Sequence, residues 1–328
     1  MSTPTLNLSL DSAELPDATL SSLLGLITAA EDAGVTSVTL TDRLTGGPTR
    51  LDPLIAASAL GPVTRSVGLI PEVVSAVTEP FHTATAIQTI DHASLGRAGL
   101  ALRPGVDLDE HAAFGRWESS EVTEANVYRD ADDTLEAVSR LWESWQDDAV
   151  IRDVTTDRFL DRTRIHDADF VGTRFTVQGA SITPRSPQGR PPVVITVTDA
   201  ASAALAATRG DVAVVPGLDA QGLGPLREAT GRSPWQTDRL LIWGEVPLTG
   251  TTDVGDVLER AARAGLDGVR LVPTASLYSP AALAASLPSP RDAAVPDASV
   301  PHLRARLGLS PAVNPYAATH SPLEASLV

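Results

Sequence analysis

The sequence predicts an α/β fold in which eight strand–helix units close into a parallel (β/α)8 barrel, a TIM barrel, with an insertion after the fourth helix. Three observations predict it. Short β-rich runs alternate with helical periodicities along most of the chain. The first strand runs into Ser9-Leu10-Asp11-Ser12 rather than the glycine-rich turn of a doubly wound sheet. One polar stretch, from Asp147 to Pro191, interrupts the alternation once.

Residues 5–10 alternate polar and apolar side chains, the period of a half-buried strand. Leu20, Leu23, Leu24 and Ile27 recur at helical spacing and stop at Ala33-Gly34. Residues 37–41 form the second strand, and Asp52-Pro53 opens the second helix with an N-cap acceptor and a first-turn proline. Residues 67–70 are the third strand, 80–95 the third helix stopped by Gly96, and 98–102 the fourth strand. Ala131, Leu135, Val138, Trp142 and Trp145 then follow at intervals of 4, 3, 4 and 3, one apolar helical stripe. Tryptophans at that spacing read as core rather than as a cofactor box.

Within the interruption only residues 174–177 alternate, so 149–191 read as an insertion, a hairpin packed over one face. Alternation resumes with a strand at 193–197, a helix at 200–208, a strand at 212–215, a short helix at 222–229 and a strand at 240–246. Val254, Val257, Leu258 and Ala261 mark a helix stopped by Gly265; 269–272 are the eighth strand and 280–287 the eighth helix. Residues 296–328, rich in Pro and Ala, read as a surface tail, and 1–328 as one barrel domain.

Composition removes several function classes. The 328 residues carry 25 basic and 41 acidic side chains, a formal charge of −16, with 43% hydrophobic residues, enough for a large core. There is no cysteine, which excludes disulfides, thiolate metal sites, iron–sulfur clusters and thiol nucleophiles. Every basic residue is arginine, so a P-loop of the usual kind and Schiff-base chemistry are excluded too. A pI near 4.7 without a basic cluster argues against nucleic acid. Residues 1–10 lack the charge and apolar run of a signal peptide, and no run approaches the ~18–20 residues of a membrane span. A cytoplasmic protein is the expectation.

Generic motifs are scarce. No Gly-x-Ser-x-Gly elbow occurs, and His82, His92, His111, His166, His302 and His320 form no metal-binding pair, so no metal is expected. Asp91-His92 and Asp109-Glu110-His111 read as solvated or capping groups. Asp130, Asp132, Asp133 and Glu136 read as acids early in the fourth helix, where they suit its dipole. In a barrel, chemistry sits at the C-terminal strand ends. Those are Thr41-Asp42-Arg43, Glu72, Leu102-Arg103-Pro104-Gly105, Val197-Thr198-Asp199, Pro216-Gly217, Glu245 and Pro273-Thr274, with Asp42, Arg103 and Asp199 the chief candidates.

Several runs carry a family resemblance. Glu79-Pro80-Phe81 through Ile90-Asp91-His92-Ala93-Ser94-Leu95-Gly96-Arg97 resembles a pattern of proline, apolar helix and Leu-Asp-x-x-Ser-x-Gly-Arg. Tyr128 with Leu141-Trp142-Glu143-Ser144-Trp145, then Phe175-Thr176-Val177-Gln178-Gly179, Pro187-Gln188 and Leu307-Gly308-Leu309 with Asn314 and Tyr316, match further pieces. The chain resembles the luciferase-like flavin-dependent monooxygenases, in the branch acting on nitrilotriacetate, dibenzothiophene sulfone and long alkanes. The resemblance implies a luciferase-like barrel, dimeric, that takes reduced FMN from a separate flavin reductase and oxidises a small organic molecule. It implies a flavin pocket lined by Asp42 and Tyr128, with Arg103 orienting an anionic group and Asp199 at the phosphate position.

Departures from the family pattern are equally specific. Pro104 stands where the family has a flavin-holding threonine, and Glu124 where it commonly has histidine. Val197-Thr198-Asp199-Ala200 replaces the phosphate-gripping Ala-Gly-x-Ser. The seventh strand runs almost directly into Gly250-Thr251, where relatives carry a covering insertion. An aspartate at a helix tip caps the free N–H groups itself. It also repels phosphate by about 3 kcal/mol per unit charge at ~5 Å and an effective dielectric of ~20. Arg103 is expected to pair with Asp199 or Glu124, or to catch the phosphate. The competing expectation is a flavin-free barrel serving as a ligand-binding or partner subunit.

Overall fold

The computed structural model describes residues 4–45, 50–114, 117–219, 223–227, 232–288 and 302–317. Local chemistry sets the elements. Strand β1 (Thr5–Leu10) leads to helix α1 (Leu20–Asp32), whose N-cap Thr19 accepts from Ser22 N–H. Strand β2 (Ser37–Leu40) precedes α2 (Pro53–Leu60), capped by Asp52 through Ile55 N–H with Pro53 in the first turn, as expected. Then come β3 (Gly68–Val74), α3 (Pro80–Ala93), β4 (Leu100–Arg103), α4 (Leu108–Phe114) and α5 (Glu124–Glu143). The insertion holds two antiparallel ribbons, β5 (Val150–Asp153) with β6 (Arg158–Leu160) and β7 (Phe170–Val171) with β8 (Thr176–Val177). The rest runs β9 (Val193–Thr196), α6 (Ala200–Arg209), β10 (Val212–Pro216), α7 (Gly224–Arg227), β11 (Leu241–Leu248), α8 (Val254–Arg263), β12 (Gly268–Pro273), α9 (Pro280–Ser286) and α10 (Leu303–Arg306).

Eight parallel strands close in the order β1-β12-β11-β10-β9-β4-β3-β2. Alternation along each strand separates two layers. Leu8, Leu10, Val38, Leu69, Leu100, Ile195 and Leu271 face the helices in the main core. Ile70, Ala101, Val194, Val214 and Trp243 form a second cluster with Leu303, Leu307 and Leu309, so the C-terminal segment plugs the end of the barrel where the strands begin. Gly96 permits that plug. It sits at φ +88°, a Cβ there would meet His302 at 2.4 Å, and its carbonyl accepts Leu303 N–H at 2.8 Å.

Several expectations need correction. Helix α4, between β4 and α5, was not anticipated. Helix α5 begins at Glu124, so Asp130, Asp132, Asp133 and Glu136 lie mid-helix rather than at its dipole-positive end. Asp132 and Glu136 pair with Arg209 instead, and Asp133 accepts Thr173 N–H. Trp145 lies past the helix end; it and Trp142 are buried core, their indoles donating to Ser181 and Ala84 carbonyls. Asp91, Glu110 and His111 are not solvated but 0%, 1% and 2% exposed. The insertion is two ribbons rather than one hairpin. Parts of the expected 222–229 helix and 296–328 tail, with His320, lie outside the described residues. Among the described residues no helix is long and apolar enough to cross a membrane, and no group of three or more His, Cys, Asp and Glu side chains is placed to hold a metal ion.

Candidate active site

The strand ends of the parallel barrel gather Asp42, Glu72 and Arg103 at one mouth. Asp42 lies two residues beyond β2. Glu72 shares its strand face with Ile70, which belongs to the interior cluster, so its carboxylate enters the barrel lumen. Arg103 ends β4. Its Nε donates to Glu72 Oε1 (3.2 Å), Nη1 and Nη2 to the two Glu110 oxygens (2.9 and 2.8 Å), and Nη2 to the Asp42 carbonyl (3.1 Å). Glu110 Oε1 also accepts Leu44 N–H, and Glu72 Oε1 accepts Asp42 N–H. The ion pairs thus fasten α4 and the loop after β2 across the mouth.

This corrects the expected partners of Arg103. It pairs with Glu72 and Glu110, on the β3 and α4 side, because those carboxylates are buried and would be stranded without it, whereas Asp199 and Glu124 are exposed.

Across the lumen β11 and β12 bring Glu245 opposite Arg270. Arg270 Nε donates to Glu245 Oε2 (2.6 Å) and Nη2 to Thr196 Oγ1 (2.9 Å). Arg270 is not among the expected site residues, although it is a lone charge on the inward-alternating face of an otherwise apolar strand.

A cavity of about 290 Å³ opens beside this network, lined by Asp42, Leu44, Pro53, Glu72, His82 and Phe114. Burial pushes the Asp42 carboxyl up to about 7, and the Glu72 charge adds to the effect. Burial likewise raises Glu72, with Arg103 opposing it. The sign for Asp42 follows. Between its unfolded value of 3.8 and about 7 the folded chain binds the proton more tightly, so stability falls as pH rises through that window. Asp42→Asn is therefore expected to raise Tm at pH 8 by about 2–4 °C, roughly 1 kcal/mol once screening of this half-exposed group is allowed for, and to change little at pH 4. An equal shift at both pH values, measured by calorimetry, would count against this assignment.

Tyr128 and Asp199 meet each other, apart from that network. Tyr128 O–H donates to Asp199 Oδ2 (3.1 Å) and Oδ1 (3.2 Å). Asp199 caps α6, accepting Ser202 N–H at 2.7 Å, while Ser202 Oγ accepts the N–H groups of Thr198 and Asp199 at 2.9 Å. These bonds hold the Asp199 carboxyl below its ordinary range despite the opposing cost of burial. The expected cap is therefore present.

A phosphate group does not fit this helix tip. Three of its backbone donors, on Thr198, Asp199 and Ser202, are satisfied within the chain, which leaves the Ala200 and Ala201 N–H groups, and an ionised carboxylate stands among them. Because Asp199 is exposed, the repulsion is smaller than at an effective dielectric of ~20, about 1 kcal/mol per unit charge at ~5 Å in water-like dielectric.

Comparison with known proteins places the fold and its lineage. The family model for luciferase-like monooxygenases matches residues 2–228. N-acetyl-S-(2-succino)cysteine monooxygenase of Bacillus subtilis is 33% identical over 164 residues, 50% of this chain and 37% of that protein. Nitrilotriacetate monooxygenase component A of Aminobacter aminovorans is 33% identical over 144 residues, 44% of this chain and 31% of that one. The match thus spans less than half the length of either relative. A crystal structure of a riboflavin lyase with modified FMN and riboflavin shares the fold, with a TM-score of 0.79 at 22% identity over 98% of this chain and 100% of that one. With its closed barrel and its match over residues 2–228, the chain belongs to the luciferase-like monooxygenase family.

Proposed function

We propose that this chain is a flavin-dependent, monooxygenase-like oxidoreductase that acts on a small organic molecule at the C-terminal mouth of its barrel and receives reduced flavin from a separate reductase. Family membership supports the reading, and the observation that carries it is the cavity beside Asp42. Asp42 holds a proton whose loss or gain falls near neutral pH, at the cavity wall. Arg103 is the positioning residue, fixing Glu72, Glu110 and the Asp42 backbone. Tyr128 and Asp199 form a polar rim for the flavin side chain. The proposal includes one domain over residues 1–328, with 149–191 as an insertion and 296–328 as a tail, a homodimer, and a place in the cytoplasm.

A second reading, a flavin-free barrel acting as a ligand-binding or partner subunit, is favoured by one observation: the Asp199–Ser202 cap in the phosphate niche. Flavin titration separates the two. Saturable binding of riboflavin or FMN, oxidised by fluorescence or reduced by anaerobic absorbance, is expected below about 1 mM, the weak end of useful affinity. Silence of all four species at that concentration would leave only the flavin-free reading.

A further inference from the structure

We infer that the flavin this barrel accepts is the uncharged, hydroxyl-ended form, riboflavin, in preference to its phosphate ester FMN. The inference rests on the flavin reading above and adds which flavin the site selects.

The direction of the hydroxyl protons carries it. An ionised carboxylate only accepts hydrogen bonds, so each hydroxyl in contact with it must point its proton inward. Tyr128 donates to Asp199 Oδ2 at 3.1 Å, Thr198 Oγ1 donates to the same oxygen at 3.1 Å, and Ser202 Oγ donates to the Asp199 carboxylate or carbonyl at 2.8–2.9 Å. The backbone N–H groups of Thr198, Asp199 and Ser202 are taken as well. What this rim turns outward is the lone pairs of the Tyr128 and Thr198 oxygens beside the first-turn N–H groups of Ala200 and Ala201. A hydroxyl can use both, a phosphate only the two N–H groups, next to the Asp199 charge. A ligand O–H finds acceptors there, on the Tyr128 and Thr198 oxygens, whereas a phosphate brings only further acceptors and negative charge.

Among the described residues no cation is paired with Asp199, whose partners, Ser202, Tyr128 and Thr198, are uncharged. Of the mouth arginines, Arg103 is held by Glu72 and Glu110 and Arg270 by Glu245. The arrangement therefore selects by charge at the end of the flavin side chain and is indifferent to the ring system.

The test is a side-by-side titration of the whole chain with riboflavin and with FMN by flavin fluorescence. Riboflavin is expected to bind at least about tenfold more tightly than FMN at ~20 mM salt. The ratio should fall at least about threefold at ~0.5 M salt, where the Debye length shortens from ~20 to ~4 Å. Asp199→Asn keeps an N-cap residue and removes the charge, so it should bring FMN to within about twofold of riboflavin. Circular dichroism checks that this variant is folded, and the wild-type ratio with its salt dependence stands without it. FMN binding as tightly as riboflavin to the wild type would overturn the inference and leave the flavin reading intact. Binding of neither flavin would overturn the flavin reading and the inference together.

Discussion

Arg97→Met is expected to lower the unfolding free energy by about 3–5 kcal/mol, the range seen when a buried polar network loses its centre. Arg97 is buried and makes no ion pair among the described residues, and burial pulls its pKa below the usual guanidinium value against the opposing Glu31 charge. All five of its N–H groups are spent. Nε donates to Ser94 O (2.8 Å), Nη1 to Thr64 Oγ1 and Val67 O (2.9 and 2.7 Å), and Nη2 to Gly61 O and Thr64 O (both 2.9 Å). One side chain therefore satisfies the carbonyls that end α2, lead into β3 and end α3. Methionine fills much of the volume but takes the guanidinium donors from four carbonyls, of which only Gly61 O keeps a side-chain donor, Thr64 Oγ1. Lysine should recover little, since a three-donor ammonium cannot reproduce the planar fork. Urea unfolding measures it, and a loss below about 1 kcal/mol at unchanged m-value would show that water replaces the network.

This also explains the family-like run ending in Gly96-Arg97. Asp91 accepts Ala98 N–H (3.1 Å), Gln188 N–H (3.1 Å) and Gln188 Nε2–H (2.6 Å), and Arg304 N–H donates to Gln188 Oε1 at 2.7 Å. Asp91 thus joins the α3 end to the segment before β9, and Gln188 joins that segment to the plug. Arg97 and Gly96 hold the rest of the corner. The motif builds the barrel's closed end and takes no part in the open one.

Arg103→Met is the second large effect, about 3–5 kcal/mol at pH 8, because it strands Glu72 and Glu110 as buried charges. The pH dependence has a definite sign. Burial already raises the Glu72 carboxyl, and Arg103 opposes it. Without the guanidinium the folded chain holds a proton that the unfolded chain releases above about 4.5, so stability is lost as pH climbs through that window. The deficit should shrink by at least half between pH 8 and pH 5, and adding Glu110→Gln should restore part of it. A deficit that stays constant across that range would mean that lost packing, rather than stranded charge, is the cause. Because Glu110 ties α4 to the mouth, faster hydrogen exchange confined to 108–114 is expected in the same variant.

Residues close in sequence made most of the architecture legible. The Asp52-Pro53 start, the Gly96 stop and the α5 stripe depend on neighbours within a turn, and each is where the residues placed it, except that Trp145 at the end of the stripe lies past the helix. Asp42, Glu72, Arg103 and Glu245 were legible as mouth residues because a parallel barrel sends every strand end to one side. Asp199 was legible as a cap because the cap bond spans only three residues. The grouping was not legible. Arg103 had several carboxylates within conceivable reach, and Arg270 carries no motif of its own.

By itself, then, the sequence determined the strand–helix order, the helix caps, the absence of cysteine and lysine chemistry, and the carboxylate at the α6 tip. The tertiary structure alone decided which charges share a bond. The register of β3, β4, β11 and β12 sets those pairs, and a buried charge survives only with a partner that distance along the chain does not reveal. It also decided that Tyr128, 71 residues from Asp199, turns its proton toward that carboxylate and leaves its oxygen's lone pairs facing outward.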